Sequence, residues 1–239
     1  MKRKVTINPI SNKKSITVNP VDKNKKLAEK LAENKKRYAK VGSISPIYKD
    51  ETIFIIGGGP SLKNFNFDLL KRKKVIAINK AFLTVPWANV LYWTDSRFYN
   101  WFKAQIHAFK GLKVTNKPKP VTDDIINLRD TGRTGLDLDR SSLRHGNNSG
   151  YAAINLAVHL GAKKIVLLGY DMSLSGNKSH WHEGYSTPTN HKVYKNSMLP
   201  HFDTLVDPIK KLGIEIWNAN PNSDLTCFPK CTIEEGLTK

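Results

Sequence analysis

Two short stretches carry the residue types that chemistry needs. The first is "IFIIGGGPSL", Ile53–Leu62, an apolar run that breaks into three glycines, a proline and a serine. Glycine lets a backbone approach a ligand closely or turn through positive φ. Pro60 fixes the exit direction and can open a helical turn. Ser61 adds a hydroxyl, so Gly57, Gly58, Gly59, Pro60 and Ser61 together suit an anion, most often a phosphate. The pattern is neither G-x-x-x-x-G-K-[ST] nor G-x-G-x-x-G, because Pro60 and Leu62 take the later positions. The second stretch is "SHWHEGY", Ser179–Tyr185. An imidazole titrates near neutral pH and can take the proton of an attacking hydroxyl, which makes His180 and His182 candidate bases. Tyr185 and Tyr194 could donate hydrogen bonds to a departing phosphate. His180, His182, Glu183 and His191 could also supply metal ligands, but their spacing matches no structural zinc pattern, and no metal site is expected.

These groups need elements to hold them. From Thr52 onward, apolar strands alternate with helical segments. "IFII", "KVIAIN" (74–79), "NVLYWT" (89–94), "LKVTN" (112–116), "KIVLLG" (164–169) and "IEIWNAN" (214–220) read as strands. Helices are expected over "SRFYNWFKAQIHAF" (96–109), over "SGYAAINLAVHLGA" (149–162) and over 199–213, where Pro208 should bend or divide the helix. Residues 117–147 read as polar and irregular. The alternation predicts an α/β, Rossmann-like, doubly wound and mostly parallel sheet. A His-rich lid insert is expected over about 172–197. In such a sheet, ligands bind beyond the carboxyl ends of the strands. Asn79, Thr94, Asp95 and Asp171 all fall at strand ends, and Asn148, Ser149 and Gly150 open a helix whose free N–H groups favour an anion. Asn220, Asn222 and Ser223 follow the last strand.

Charge sets the remaining bounds. Lys and Arg number 39 against 20 Asp and Glu, a net +19. Residues 1–50 hold 14 of those cations against four acids (Asp22, Glu29, Glu33, Asp50), so 14 − 4 = +10 lies in about a fifth of the chain. Residues 1–50 are accordingly read as a basic arm (1–20) followed by a surface helix (22–40), and 51–239 as the nucleotide-binding domain. Such a field favours polyanions: nucleic acid, bound through salt-sensitive phosphate contacts, an acidic membrane face, or phosphorylated small molecules. No apolar run is long enough to span a bilayer, no apolar leader follows the first lysines, and two cysteines make no disulfide framework, so a cytoplasmic protein with free thiols at Cys227 and Cys231 is expected. Aromatics crowd Trp87–Phe109 and could stack on bases beside Arg97 and Lys103. The helical spacing of Phe98, Trp101 and Phe102 instead predicts core packing.

The "GGGPSL" turn, the strand ending in Asn79, "NNSGYAAINLAVHLGAKKIVLLGYDM", the histidine-bearing insert and the late "NPNS" resemble, in this order, the bacterial lipooligosaccharide sialyltransferases. They are also similar to a related domain of unknown function found beside flagellin-glycosylation genes. "PWANVLYWTDSRFY", "SHWHEGY" and "LTCFP" are similar to stretches of a phage and prophage group labelled morphogenetic proteins. The resemblance covers about residues 52–231. It implies a Rossmann-like domain with a lid, a cytidine-monophosphate sugar or similar nucleotide-sugar donor as co-substrate, and no required cofactor. It implies that Gly57–Pro60 lie against the donor phosphate and ribose and that Asn79 binds the donor. Ser149 and Gly150 would hold the sugar or nucleotide, and Asn222 and Ser223 would lie near the base. It favours His180 over His182 as the base, from the Ser-His-aromatic triplet. The chain departs from the family at Gly58, where the family has Asn, and at Gly146, where the family has Arg.

The function expected on these grounds is a metal-independent, glycosyltransferase-like enzyme, phage-encoded and acting in the host cytoplasm, with DNA, a virion protein or a glycan as acceptor. Two alternatives stand beside it. One is a non-catalytic nucleotide- or DNA-binding accessory protein of phage morphogenesis. The other is a magnesium-dependent nucleotide transferase of pyrophosphokinase type using Asp95 and Asp171. A homo-oligomer is compatible with each.

Overall fold

The apolar runs at the centre of the chain are strands because both of their faces are covered. The structure, a computed structural model, describes residues 25, 29, 41–117, 122, 124–176, 178–182 and 190–239. Seven parallel strands form one sheet: β1 (Thr52–Ile56), β2 (Lys74–Ile78), β3 (Val90–Trp93), β4 (Leu112–Thr115), β5 (Ile125–Asn127), β8 (Lys164–Leu168) and β9 (Glu215–Asn218). Their order is β5-β4-β3-β2-β1-β8-β9. Register is tight at the centre, with Phe54 opposite Val75 on β2 and Val166 on β8. Alternate residues feed opposite cores. Ile53, Ile55, Ile76, Ile78 and Leu167 enter one, under helices α3 (Ser149–His159) and α4 (Leu199–Lys211). Phe54, Ile56, Ala77, Leu91, Trp93 and Leu168 enter the other, under α1 (Ala81–Thr84) and α2 (Phe98–Ala108), with the terminal α5 (Ile233–Thr238) packed at its margin. That period of two with both phases apolar is the mark of a central parallel strand. The fold is therefore the α/β, Rossmann-like arrangement expected.

The expected irregular stretch 117–147 contains more order. Besides β5 it supplies β6 (Arg129–Gly132) and β7 (Ser142–Arg144), a small parallel pair outside the main sheet. Two polar residues of α3 hold this pair. Asn155, fully buried, accepts from the N–H groups of Asp137 and Arg144 and donates to the Asp137 carbonyl. His159 Nε2 lies 2.8 Å from the Ser142 carbonyl. Helix α4 runs undivided through Pro208.

The chain divides into units Met1–Ala39 and Lys40–Lys239. The basic arm and the surface helix expected over 1–40 lie outside the described residues, except Lys25 and Glu29, which are helical and exposed. Residues 41–50 belong to the second unit, so the division falls earlier than the expected one at residue 50. Ile44 is 1% exposed and its N–H donates to the Arg140 carbonyl, while Tyr48 donates to Leu160. No helix among the described residues is long and apolar enough to cross a membrane.

Strand order fixes where a ligand can sit. The chain runs outward from β1 through β2, β3, β4 and β5, then returns to β8 on the other side of β1. The loops leaving β1 and β8 part at this reversal and leave a crevice at the carboxyl edge.

Candidate functional site

A cavity of about 480 Å³ opens at that reversal, within the size range of small-molecule sites. Its wall takes Gly57–Gly59 from the β1 exit, Asn79 from β2, Thr94 and Asp95 from β3, Asn147–Gly150 from the start of α3, and Gly169 and Tyr170 from β8. Ser179, His180, Tyr194 and Met198 close it from the insert. Residues singled out from the sequence thus meet around one space: Gly57, Gly58, Gly59, Asn79, Thr94, Asp95, Asn148, Ser149, Gly150, His180 and Tyr194.

The glycine turn continues the sheet before it bends. Gly57 N–H donates to the Leu168 carbonyl and Gly59 N–H to Gly169, each at 2.8 Å. Ser61 N–H and Oγ both donate to the Asp171 carboxylate at 2.8 Å. Only the Gly58 N–H of this turn takes no hydrogen bond among the described residues. The turn needs glycine for space rather than for φ. A Cβ on Gly59 would lie 1.9 Å from Asp171 Oδ2, and one on Gly58 would lie 2.5 Å from the His180 ring.

His180 covers Gly58 because its neighbour is anchored there. Trp181 donates its backbone N–H to the Gly58 carbonyl and its indole N–H to the Gly57 carbonyl, both at 2.9 Å. Ser179 Oγ lies 2.8 Å from His180 Nδ1, and the His182 ring stacks at 5.3 Å. Burial, then the adjacent His182 and Lys80 charges, push the His180 pKa down to about 4. The imidazole is neutral at pH 7 and able to accept a proton. His182 does not line the cavity. Tyr185 and Glu183 lie outside the described residues. Among the described residues there is no cluster of metal-ligating side chains.

The opposite wall is built on α3. Asn148 caps the helix by accepting from Tyr151 N–H, and the Ser149 and Gly150 N–H groups before it have no acceptor among the described residues. Ser149 Oγ lies 2.8 Å from Thr94 Oγ1 and accepts from Asn79 Nδ2 at 3.3 Å. Asn79 Oδ1 has no partner among the described residues. Among the described residues, three of the four non-glycine residues with positive φ line this cavity: Asn79 (49°), Asn147 (60°) and Met172 (52°). Such backbone concentrates at functional sites.

Other candidates lie elsewhere. Asp171, 6% exposed, faces Ser61, and its pKa is raised by burial against those two bonds. Ser223 is buried and donates to the Tyr170 and Asp171 carbonyls, and Asn222 is exposed. Pro60 starts a short 3-10 turn, and neither it nor Ser61 lines the cavity. Among residues read as core, Phe98 is buried but Trp101 is 50% exposed and borders the cavity, under the Arg97 guanidinium at 5.0 Å. The spacing of Phe98, Trp101 and Phe102 therefore does not mark one buried face, and α2 itself breaks at Phe102 (φ −126°, ψ 23°). Asn147 and Met198 were not singled out. An Asn two residues before a helix is the one signal that pointed to Asn147, since Asn tolerates positive φ. Cys227 and Cys231 are free, and burial pushes the Cys227 thiol up to about 12.

Fold and site together define a Rossmann-like α/β protein with a polar crevice at its strand-order reversal. Comparison with protein-family models, curated proteins and solved structures gives no match for the chain.

Proposed function

We propose that this crevice binds a nucleotide sugar and that the chain transfers the glycosyl group to a hydroxyl acceptor by acid–base chemistry of its own side chains. One observation carries the proposal. Open N–H groups of Gly58, Ser149 and Gly150 and a neutral imidazole, His180, face a single cavity at the strand-order reversal. The amides and the positive end of α3 suit a phosphate whose charge grows as the donor bond breaks. The acceptor oxygen attacks the anomeric carbon, the bond from that carbon to the phosphate oxygen breaks, and the nucleotide leaves as the anion. The acceptor proton passes to a ring nitrogen of His180. An anionic donor alongside raises the basicity of that ring from its depressed resting value. Trp101 and Arg97 at the rim offer flat faces to a base. DNA, a virion protein and a glycan are the acceptors proposed.

The magnesium-dependent reading is less well supported by the carboxylates it needs. Asp171 is held by Ser61, and Asp95 by a fork from Arg97 Nε at 3.1 Å and Nη2 at 2.8 Å. That fork holds the Asp95 pKa below the usual carboxylate range. The test is calorimetric titration and thermal shift with CMP, UDP, GDP and ADP and their sugars, with and without magnesium, followed by release of free nucleotide. Metal-free stabilisation and turnover by one nucleotide sugar is the expected result. Binding without release in the presence of acceptors would favour the accessory-protein alternative, and no binding at all would overturn the proposal.

A further inference from the structure

Asn147 stands out among the residues around the cavity because nearly all of its polar groups are tied down. It sits two residues before α3 in the left-handed region, φ 60°. Its backbone N–H donates to His145 Nδ1 at 3.1 Å. That nitrogen must therefore carry the lone pair, and the ring hydrogen belongs on Nε2, 3.5 Å from Asp130 Oδ1. The side chain is fixed just as fully. Nδ2 lies 3.2 Å from the Ser197 carbonyl, 3.3 Å from Ser197 Oγ and 3.1 Å from His201 Nε2.

The Ser197 carbonyl decides the orientation of the amide. It can only accept, so the group facing it is the NH2 and not the oxygen. By the same logic His201 Nε2 accepts from Asn147. Both donors of the carboxamide are then turned toward the segment that leads from the insert into α4. Oδ1 takes no hydrogen bond among the described residues and is the side-chain polar atom left to a residue that lines the cavity. A fixed acceptor with an open lone pair recognises a donor, and the donor common to ribose and to a sugar is a hydroxyl.

We infer that Asn147 is a specificity-determining residue whose Oδ1 accepts a hydrogen bond from a hydroxyl of the bound nucleotide or its sugar, with Ser197 and His201 acting as positioning residues that aim it. This rests on the proposed nucleotide-sugar reading. It adds a recognition contact from a residue outside the glycine turn and outside α3, set by a part of the chain fifty residues away.

The test compares matched ligands on the full chain. Calorimetry uses the nucleoside monophosphates of cytidine, uridine, guanosine and adenosine, their 2′- and 3′-deoxy forms, and nucleotide sugars with their deoxy-sugar counterparts. Wild type should bind one hydroxylated ligand about tenfold tighter than its deoxy match, the size of one net hydrogen bond. Loss confined to a deoxyribose form assigns the hydroxyl to the ribose, and loss confined to a deoxy-sugar form assigns it to the glycosyl group. Asn147→Gly keeps a residue at ease at φ 60° and should bind both members of the pair alike, with a melting temperature lower by only a few degrees for the contacts to Ser197 and His201 that it gives up. His201→Gln, which retains an acceptor, should keep the discrimination, and His201→Leu should lose it. Discrimination surviving in Asn147→Gly, or an equal loss of affinity for both members of the pair, overturns the inference while leaving nucleotide binding intact. Wild type binding none of these ligands overturns the nucleotide-sugar reading itself, and the inference with it.

Discussion

The two walls of the crevice use the same polar residue types to different ends. Behind the β8 side, outside the cavity lining, Asp171 accepts two bonds from Ser61, Ser223 donates to two carbonyls, and Lys230 closes on the Ser223 carbonyl at 2.6 Å. Those polar groups satisfy one another and brace the turn. On the α3 side, Asn79 Oδ1, Asn147 Oδ1 and the first two N–H groups of the helix have no partner among the described residues. A polar residue at a strand end marks the rim of a sheet. Whether it braces or recognises depends on which of its hydrogen bonds the fold has already made.

The contrast can be broken experimentally, and the largest effect is expected where the braced wall presents its one reactive group. With His180 as the proposed base, His180→Ala should cut glycosyl transfer by roughly 10²–10⁴-fold while calorimetry shows donor affinity within about twofold of wild type. A parallel loss of affinity would make His180 a binding residue. Next comes the brace itself. Asp171→Ala strands the Ser61 donors and should cost about 3 kcal/mol, a fall in melting temperature of roughly 6–12 °C. Wild-type stability with weakened ligand binding would place Asp171 with the recognising wall instead. Asn79→Gly, which removes the unpartnered Oδ1 of the open wall at a residue with φ 49°, should do the reverse: about a tenfold loss of nucleotide affinity, with unfolding free energy in urea changed by no more than about 1–2 kcal/mol. The smallest effect is a titration. Because burial lowers the His180 pKa, the ring stays neutral as pH falls through the ordinary histidine range and takes its proton only near a pH of about 4. NMR of the ring proton, assigned by its absence in His180→Ala, should show that midpoint, and one near 6.5 would mean the ring is solvated.

Much of the sheet was legible because its centre is chemically simple. β1, β2 and β8 are unbroken apolar runs flanked by turn residues, and α3 is apolar nearly all round, which only burial on both sides explains. β6 and β7 were not legible. "RDTG" and "SLR" carry no alternation, and their pairing depends on Asn155 and His159 of a helix that follows them in sequence. The site divides in the same manner. Glycines, Asn79, Ser149 and His180 announce themselves by type and position. The separate fates of Asp171 and Asn147 do not, because each is decided by a partner far along the chain, Ser61 at a separation of 110 residues and Ser197 at 50. Trp101 was misread because helical spacing alone does not say whether an aromatic packs into the core or borders a cavity, and here it is half exposed at the rim.

The double anchor of Trp181 reaches beyond placing a ring. Because one residue, through its backbone N–H and its indole, grips the carbonyls of two successive glycines, residues 180–182 are fastened to the exit of β1. Amide hydrogen exchange at Trp181 should therefore be as slow as in β1.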